Sequence, residues 1–125
     1  MRLTTAEVER FIGGQIEIHN QNEGYLYRGE IAAAVVENDE FHVKCAWLGK
    51  GEGFPSLPPR WVKDDNLDYA ASLEIYAASD IGPGTEGGNR LCLQSAIVGE
   101  TVVLFPPDGS KLDRAKVEGL EPVPV

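Results

Sequence analysis

Residues 41–47, FHVKCAW, place Phe41, Val43, Cys45 and Trp47 on one parity and His42 and Lys44 on the other. Strict alternation marks a strand with one face in a core and one toward water. The run before it, YLYRGEIAAAVV over 25–36, is a long strand candidate, and ENDE between the two supplies a turn. Together they predict a β-hairpin over 25–48 whose Phe41 and Trp47 are buried in one main core.

The same period of two recurs elsewhere. In QIEIH, Ile16 and Ile18 oppose Gln15, Glu17 and His19, and NQNEG then supplies turn formers. NRLCLQ (89–94) and ETVVLF (100–105) read as further strands. AASLEIYAAS (70–79) fits two patterns. Leu73 and Ile75 alternate as in a strand, whereas Tyr69, Leu73, Tyr76 and Ala77 form a helical stripe with four alanines nearby. The strand is preferred, because NRLCLQ offers it a hairpin mate across a Gly-rich connection.

Only the N-terminus has a clear helical period. Thr4 and Glu7 have capping-box spacing, Val8, Phe11 and Ile12 form one apolar stripe, and Gly13–Gly14 stop it, giving a helix over 4–12. Strands then fill 15–105, with long loops at 49–60 and 79–88, a last helical turn in SKLDRAKVEGL and a tail over 119–125. The fold class is mostly β: a small SH3-like-sized β-barrel or strongly curled antiparallel sheet with a short N-terminal helix. Six strand candidates must curl or close to hide their edges. A chain of 125 residues is expected to form a single domain, 1–125.

Charge narrows the function. Twenty acids against eleven bases give −9, and the bases are scattered. Such a surface repels phosphate backbones and anionic headgroups, so neither nucleic acid nor membrane is an expected partner. The N-terminus lacks an apolar leader core, and no apolar run approaches the ~20 residues of a spanning helix. The expected location is cytoplasmic.

Candidate motifs are weak. Gly82, Gly84 and Gly87 have G-x-G-x-x-G spacing. A dinucleotide site needs a helix after that loop, and here a strand follows. Pro83 also removes a donor, and Glu86 repels phosphate, so a hairpin connection is the reading. Asp64, Asn66 and Asp68 mimic the start of a calcium loop, but Tyr69 and Ile75 stand where glycine and glutamate are required. Pro55, Pro58 and Arg60 match P-x-x-P-x-R, yet Phe54, Leu57 and Trp61 look like anchors of a stiff loop. Cys45 and Cys92 read as buried free thiols. His42 and Cys45 differ by three positions and so face opposite sides of their strand. No catalytic residue, cofactor or metal ligand is nominated.

Ile31–Val36 is apolar on both parities. If Ile31, Ala33 and Val35 face the core beside Tyr25 and Tyr27, then Ala32, Ala34 and Val36 need a cover. The N-terminal helix or a second subunit could supply it. The leading expectation is therefore a non-catalytic binding module whose partner is protein, including itself as a homodimer through Ala32, Ala34 and Val36. The alternatives are a barrel enclosing a small apolar ligand among Tyr25, Tyr27, Trp47 and Trp61, and an enzyme built on unrecognised carboxylates.

Overall fold

A computed structural model of the chain describes residues 4–37, 40–55, 58–63, 70–74, 90–94, 98–107 and 114–120. Its elements are helix α1 (Thr5–Glu9) and strands β1 (Gln15–Asn20), β2 (Tyr25–Glu37), β3 (Glu40–Glu52), β4 (Arg60–Lys63), β5 (Ala70–Glu74), β6 (Leu91–Gln94) and β7 (Glu100–Phe105), with a 3-10 turn at Arg114–Lys116. The strands form one antiparallel sheet in the order β4-β3-β2-β1-β7-β6. β5 lies off this path and pairs with β3. β3 thus has two partners end to end on its outer edge, β5 along residues 40–44 and β4 along 49–52. Among the described residues the sheet is not closed.

Helix α1 is shorter than the 4–12 expected. Thr4 caps it, its hydroxyl accepting from the Glu7 amide at 3.4 Å and donating to the Glu7 carboxylate at 3.1 Å. The chain must then reach β2: Gly13 N–H donates to Ile31 O at 2.8 Å, and Ile31 N–H to Gly14 O at 2.9 Å. A Cβ on Gly14 would stand 1.9 Å from Phe105 O, so only glycine allows this approach. Val8 and Phe11 of the stripe are buried, while Ile12 stays 40% exposed. Thr5 Oγ1 meets the β2 backbone at Val36, accepting from its N–H at 3.0 Å and donating to its carbonyl at 3.1 Å.

The hairpin extends beyond 25–48, since β2 and β3 are both thirteen residues long. Gly49–Glu52, expected in a loop, continue β3, and the connection to β4 shrinks to 53–59. β4 is a strand that the hydrophobic pattern missed. β5 is a strand, as preferred, over 70–74, and 75–79 lie outside the described residues. Its partner is β3, whereas Leu91–Gln94 pair with β7. The hairpin-mate argument for that strand was therefore incorrect.

An irregularity in the β2–β3 ladder changes the core. Glu30 pairs with Trp47, Ile31 with Cys45 and Ala33 with Lys44, which leaves Ala46 and then Ala32 unmatched. Each extra residue flips the parity of its strand and bends it. On β3, Phe41, Val43 and Cys45 join the main core, and past the bulge it is Leu48 that does. Trp47 is buried at 2% exposure, but in a second cluster with Val117, Trp61 and Leu120 on the other face. The expectation of one shared face for Phe41 through Trp47 holds only as far as Cys45. On β2 the flip sends Ile31 and Ala34 inward together and leaves Ala32, Ala33 and Val35 exposed.

Candidate functional site

Two polar rows run across the sheet. On the outward face, Gln15, Glu17 and His19 of β1 stand opposite Glu30, Arg28 and Leu26 of β2. Arg28 Nη2 donates to Glu17 Oε2, and His19 Nε2 lies 3.9 Å from Glu17 Oε1. The Glu17 and Arg28 side chains are only 18% and 17% exposed, so this pair is shielded from solvent. Trp61 lies over Arg28, with 5.2 Å between guanidinium and ring. Its register partner on β3 is Gly51, where a Cβ would stand 3.2 Å from the Leu26 side chain. Trp47 Nε1 donates to Glu30 Oε2 at 3.0 Å. Phe54 approaches His19 from the loop after β3, ring centroids 6.5 Å apart.

The second row ends the core face, where Glu100, Asn20 and Tyr25 are register neighbours on β7, β1 and β2. Asn20 is fully buried; its Nδ2 donates to Val98 O and its Oδ1 accepts from Glu23 N–H, both at 3.0 Å. The Tyr25 hydroxyl donates to Glu100 Oε2, and Glu100 is 5% exposed. Burial, followed by the hydrogen bond to Glu100, pushes the Tyr25 phenol up to about 12. The Tyr27 ring lies beside it, tilted by 42° with centroids 5.5 Å apart.

The four aromatics expected around a ligand fall into two pairs. Tyr25 and Tyr27 are on the core face, and Trp47 and Trp61 are on the outward face. The expected contact strip divides likewise: Ala34 is in the core, Val36 packs against it and Ala32 is exposed. Of the two candidate covers, α1 lies over that segment. Cys45 and Cys92 are buried thiols outside any disulfide, as expected, and sit on opposite faces. Burial pushes the Cys45 thiol up to about 11, which keeps it protonated near neutrality and poorly nucleophilic. Among the described residues no cluster of His, Cys, Asp or Glu has the makeup to hold a metal ion. Arg60 of the P-x-x-P-x-R match bonds Glu52 at 2.9 Å and approaches Glu118 at 3.5 Å. Residues 64–69 and 81–89, with the calcium-loop and glycine-spacing matches, lie outside the described residues. Among the described residues no helix is long and apolar enough to cross a membrane.

Sequence reasoning missed both rows. Glu17 and His19 share the polar parity of β1, and a hairpin across NQNEG would have set Arg28 opposite Glu17. The Tyr25–Glu100 bond joins positions 75 apart and leaves no local trace.

Comparison of the chain with protein-family models, with curated proteins and with solved structures finds no match.

Proposed function

We propose that this protein is a non-catalytic binding module that docks protein, and that one partner is a second copy of itself. The observation that carries the reading is the outward face of the outer half of the β2–β3 hairpin. Ala32 and Ala33 are both exposed there, Val35 is 40% exposed, and Ala46 and Lys44 of β3 are exposed beside them. Small side chains let another backbone approach closely, and a two-fold contact uses the same patch twice. Glu37 of β2 and Lys44 of β3 are both exposed and offer opposite charges for such a contact. Two subunits of charge −9 repel, but physiological salt limits that repulsion to a range of about 8 Å.

Binding is favoured over catalysis because, among the described residues, the carboxylates of the two polar rows each hold a structural partner: Glu17 with Arg28, Glu30 with Trp47, Glu100 with Tyr25. A single apolar ligand cavity is disfavoured by the split of the aromatic pairs between two faces. We read the curled sheet as an open barrel of SH3-like size working in the cytoplasm, away from nucleic acid and membrane. Sedimentation equilibrium tests the contact. Wild type is expected to be dimeric at tens of micromolar and Val35→Glu monomeric with an unchanged unfolding curve. A monomeric wild type refutes self-association, and a dimeric Val35→Glu moves the contact elsewhere.

A further inference from the structure

We propose that Glu100, with the rings of Tyr25 and Tyr27, binds a guanidinium group at the end of the core face. The three acids of the polar rows are not equally supplied. Glu17 meets the Arg28 guanidinium and Glu30 the Trp47 indole N–H, whereas Glu100 has only the Tyr25 hydroxyl, on Oε2. Glu100 is 5% exposed, and its Oε1 is buried with no hydrogen-bond partner among the described residues. A carboxylate taken out of water needs a cation or several donors to offset its lost hydration, and one phenol leaves half of that need unmet. Lys50, the register partner of Tyr27, makes no ion pair with Glu100 among the described residues.

The surroundings select the kind of cation. Tyr25 and Tyr27 are half-buried, and their tilted rings stand beside the carboxylate that Tyr25 bonds. A guanidinium is planar, so it donates to a carboxylate and lies on an aromatic face at once, which a compact ammonium does less well. The chain already makes such contacts, with Arg28 over Trp61 at 5.2 Å and Arg10 over Phe11 at 4.8 Å. Glu23 adds a second negative charge, its amide held at 3.0 Å by Asn20 Oδ1 and its carboxylate felt at the Tyr25 hydroxyl. A net charge of −9 draws cations to the surface. Glu100 lies close beneath that surface, since Gly99 and Val98 just before it are exposed. The site is at the Tyr25 end of β2, away from Ala32 and Val35, and does not depend on self-association.

The probe is propylguanidinium, titrated into the full chain near neutral pH while the Tyr25 ring resonances are followed by NMR. It is expected to bind at least about tenfold more tightly than propylurea, its uncharged counterpart, and Glu100→Gln is expected to weaken it at least about tenfold. No binding, equal binding by propylurea, or undiminished binding to Glu100→Gln overturns the proposal. Propylammonium binding as tightly overturns the choice of guanidinium. A second measurement uses wild type alone. With the ligand bound, the Tyr25 phenol is expected to fall from about 12 toward 10.0, because the cation offsets the Glu100 charge and stays charged across that range. A bound ligand that leaves the phenol unmoved sits elsewhere and overturns the proposal. Acetyl-Gly-Arg-Gly-amide separates the two sources of the group. Binding at least about tenfold tighter than propylguanidinium assigns the site to an arginine of a partner protein, and equal binding assigns it to a free ligand.

Discussion

The β2–β3 hairpin has two halves that meet at its bulge. The inner half, Tyr25–Glu30 with Trp47–Glu52, is covered on both faces: Tyr27 and Leu48 join the main core, and Trp47 lies under Val117 and Trp61. The outer half, Ile31–Glu37 with Glu40–Cys45, is covered on one face, where Phe41, Val43 and Ala34 pack under α1. Its other face exposes Ala33, Val35 and Lys44. One ribbon thus serves as internal scaffold at one end and as available surface at the other. The bulge separates the two roles by flipping parity, so that Trp47 leaves the face that Phe41 occupies.

Removing the ring that seals the inner half tests this division most severely. Trp47→Ala deletes a side chain that is 2% exposed and its hydrogen bond to Glu30. A loss of roughly 3–5 kcal/mol is expected in a denaturant titration. Phe41→Ala, on the opposite face, should cost a similar amount. If the two clusters are independent, the double variant should be additive within about 0.5 kcal/mol. Strong coupling would mean that the faces act as one core.

The Glu17–Arg28 pair comes next. Both side chains are shielded, so Glu17→Gln leaves a guanidinium with a weaker acceptor and Trp61 above it. A loss of about 2 kcal/mol is expected, the scale of a hydrogen bond to a charged group. A loss that vanishes in high salt would show the pair to be solvated.

The Tyr25–Glu100 bond gives a pH test. The folded phenol lies near 12 against 10.0 for a free tyrosine, so folding favours the neutral ring. A raised value stabilises fully below pH 10 and is lost as pH climbs from 10 toward 12. Wild type should therefore lose stability across that window more steeply than Tyr25→Phe, measured by urea midpoint. At lower pH, Tyr25→Phe should cost about 1 kcal/mol for the lost hydrogen bond. Parallel pH curves for the two proteins would contradict the assignment.

Local patterning revealed the strands and little of how they combine. QIEIH and FHVKC alternate because each has one face in the core, whereas ETVVLF is apolar at four successive positions and shows itself by its β-branched run. β4 escaped because its few residues sit beside a proline-rich loop and gain strand character from β3 and from the bridge at Glu118. The bulge escaped because alanine at 32, 33, 34 and 46 fits either face equally well, so hydrophobicity has no say in its parity. With the bulge unseen, Trp47 was grouped with Phe41, and Ala34 was assigned to an interface rather than the core. The polar rows depend on register between distant strands, and a single sequence carries register only where a short turn fixes it.

The smallest expected effect falls on the bare face. Val35→Ala removes two methyl groups from a side chain that is 40% exposed and outside both clusters. In the isolated subunit the change should lie within about 0.5 kcal/mol, the range for surface sites away from special features. In a dimer contacting through this face the same methyls are buried twice, once per subunit, so the dissociation constant should rise while the unfolding of the dilute monomer stays put. The contrast with Trp47→Ala then takes a sharp form: one substitution lowers stability at every concentration, and the other is visible only where copies meet. Urea titrations at two protein concentrations, one below and one above the dissociation constant, measure both effects. If Val35→Ala costs more than about 1 kcal/mol in the dilute sample, the outer half is covered within the subunit, and its division from the inner half fails.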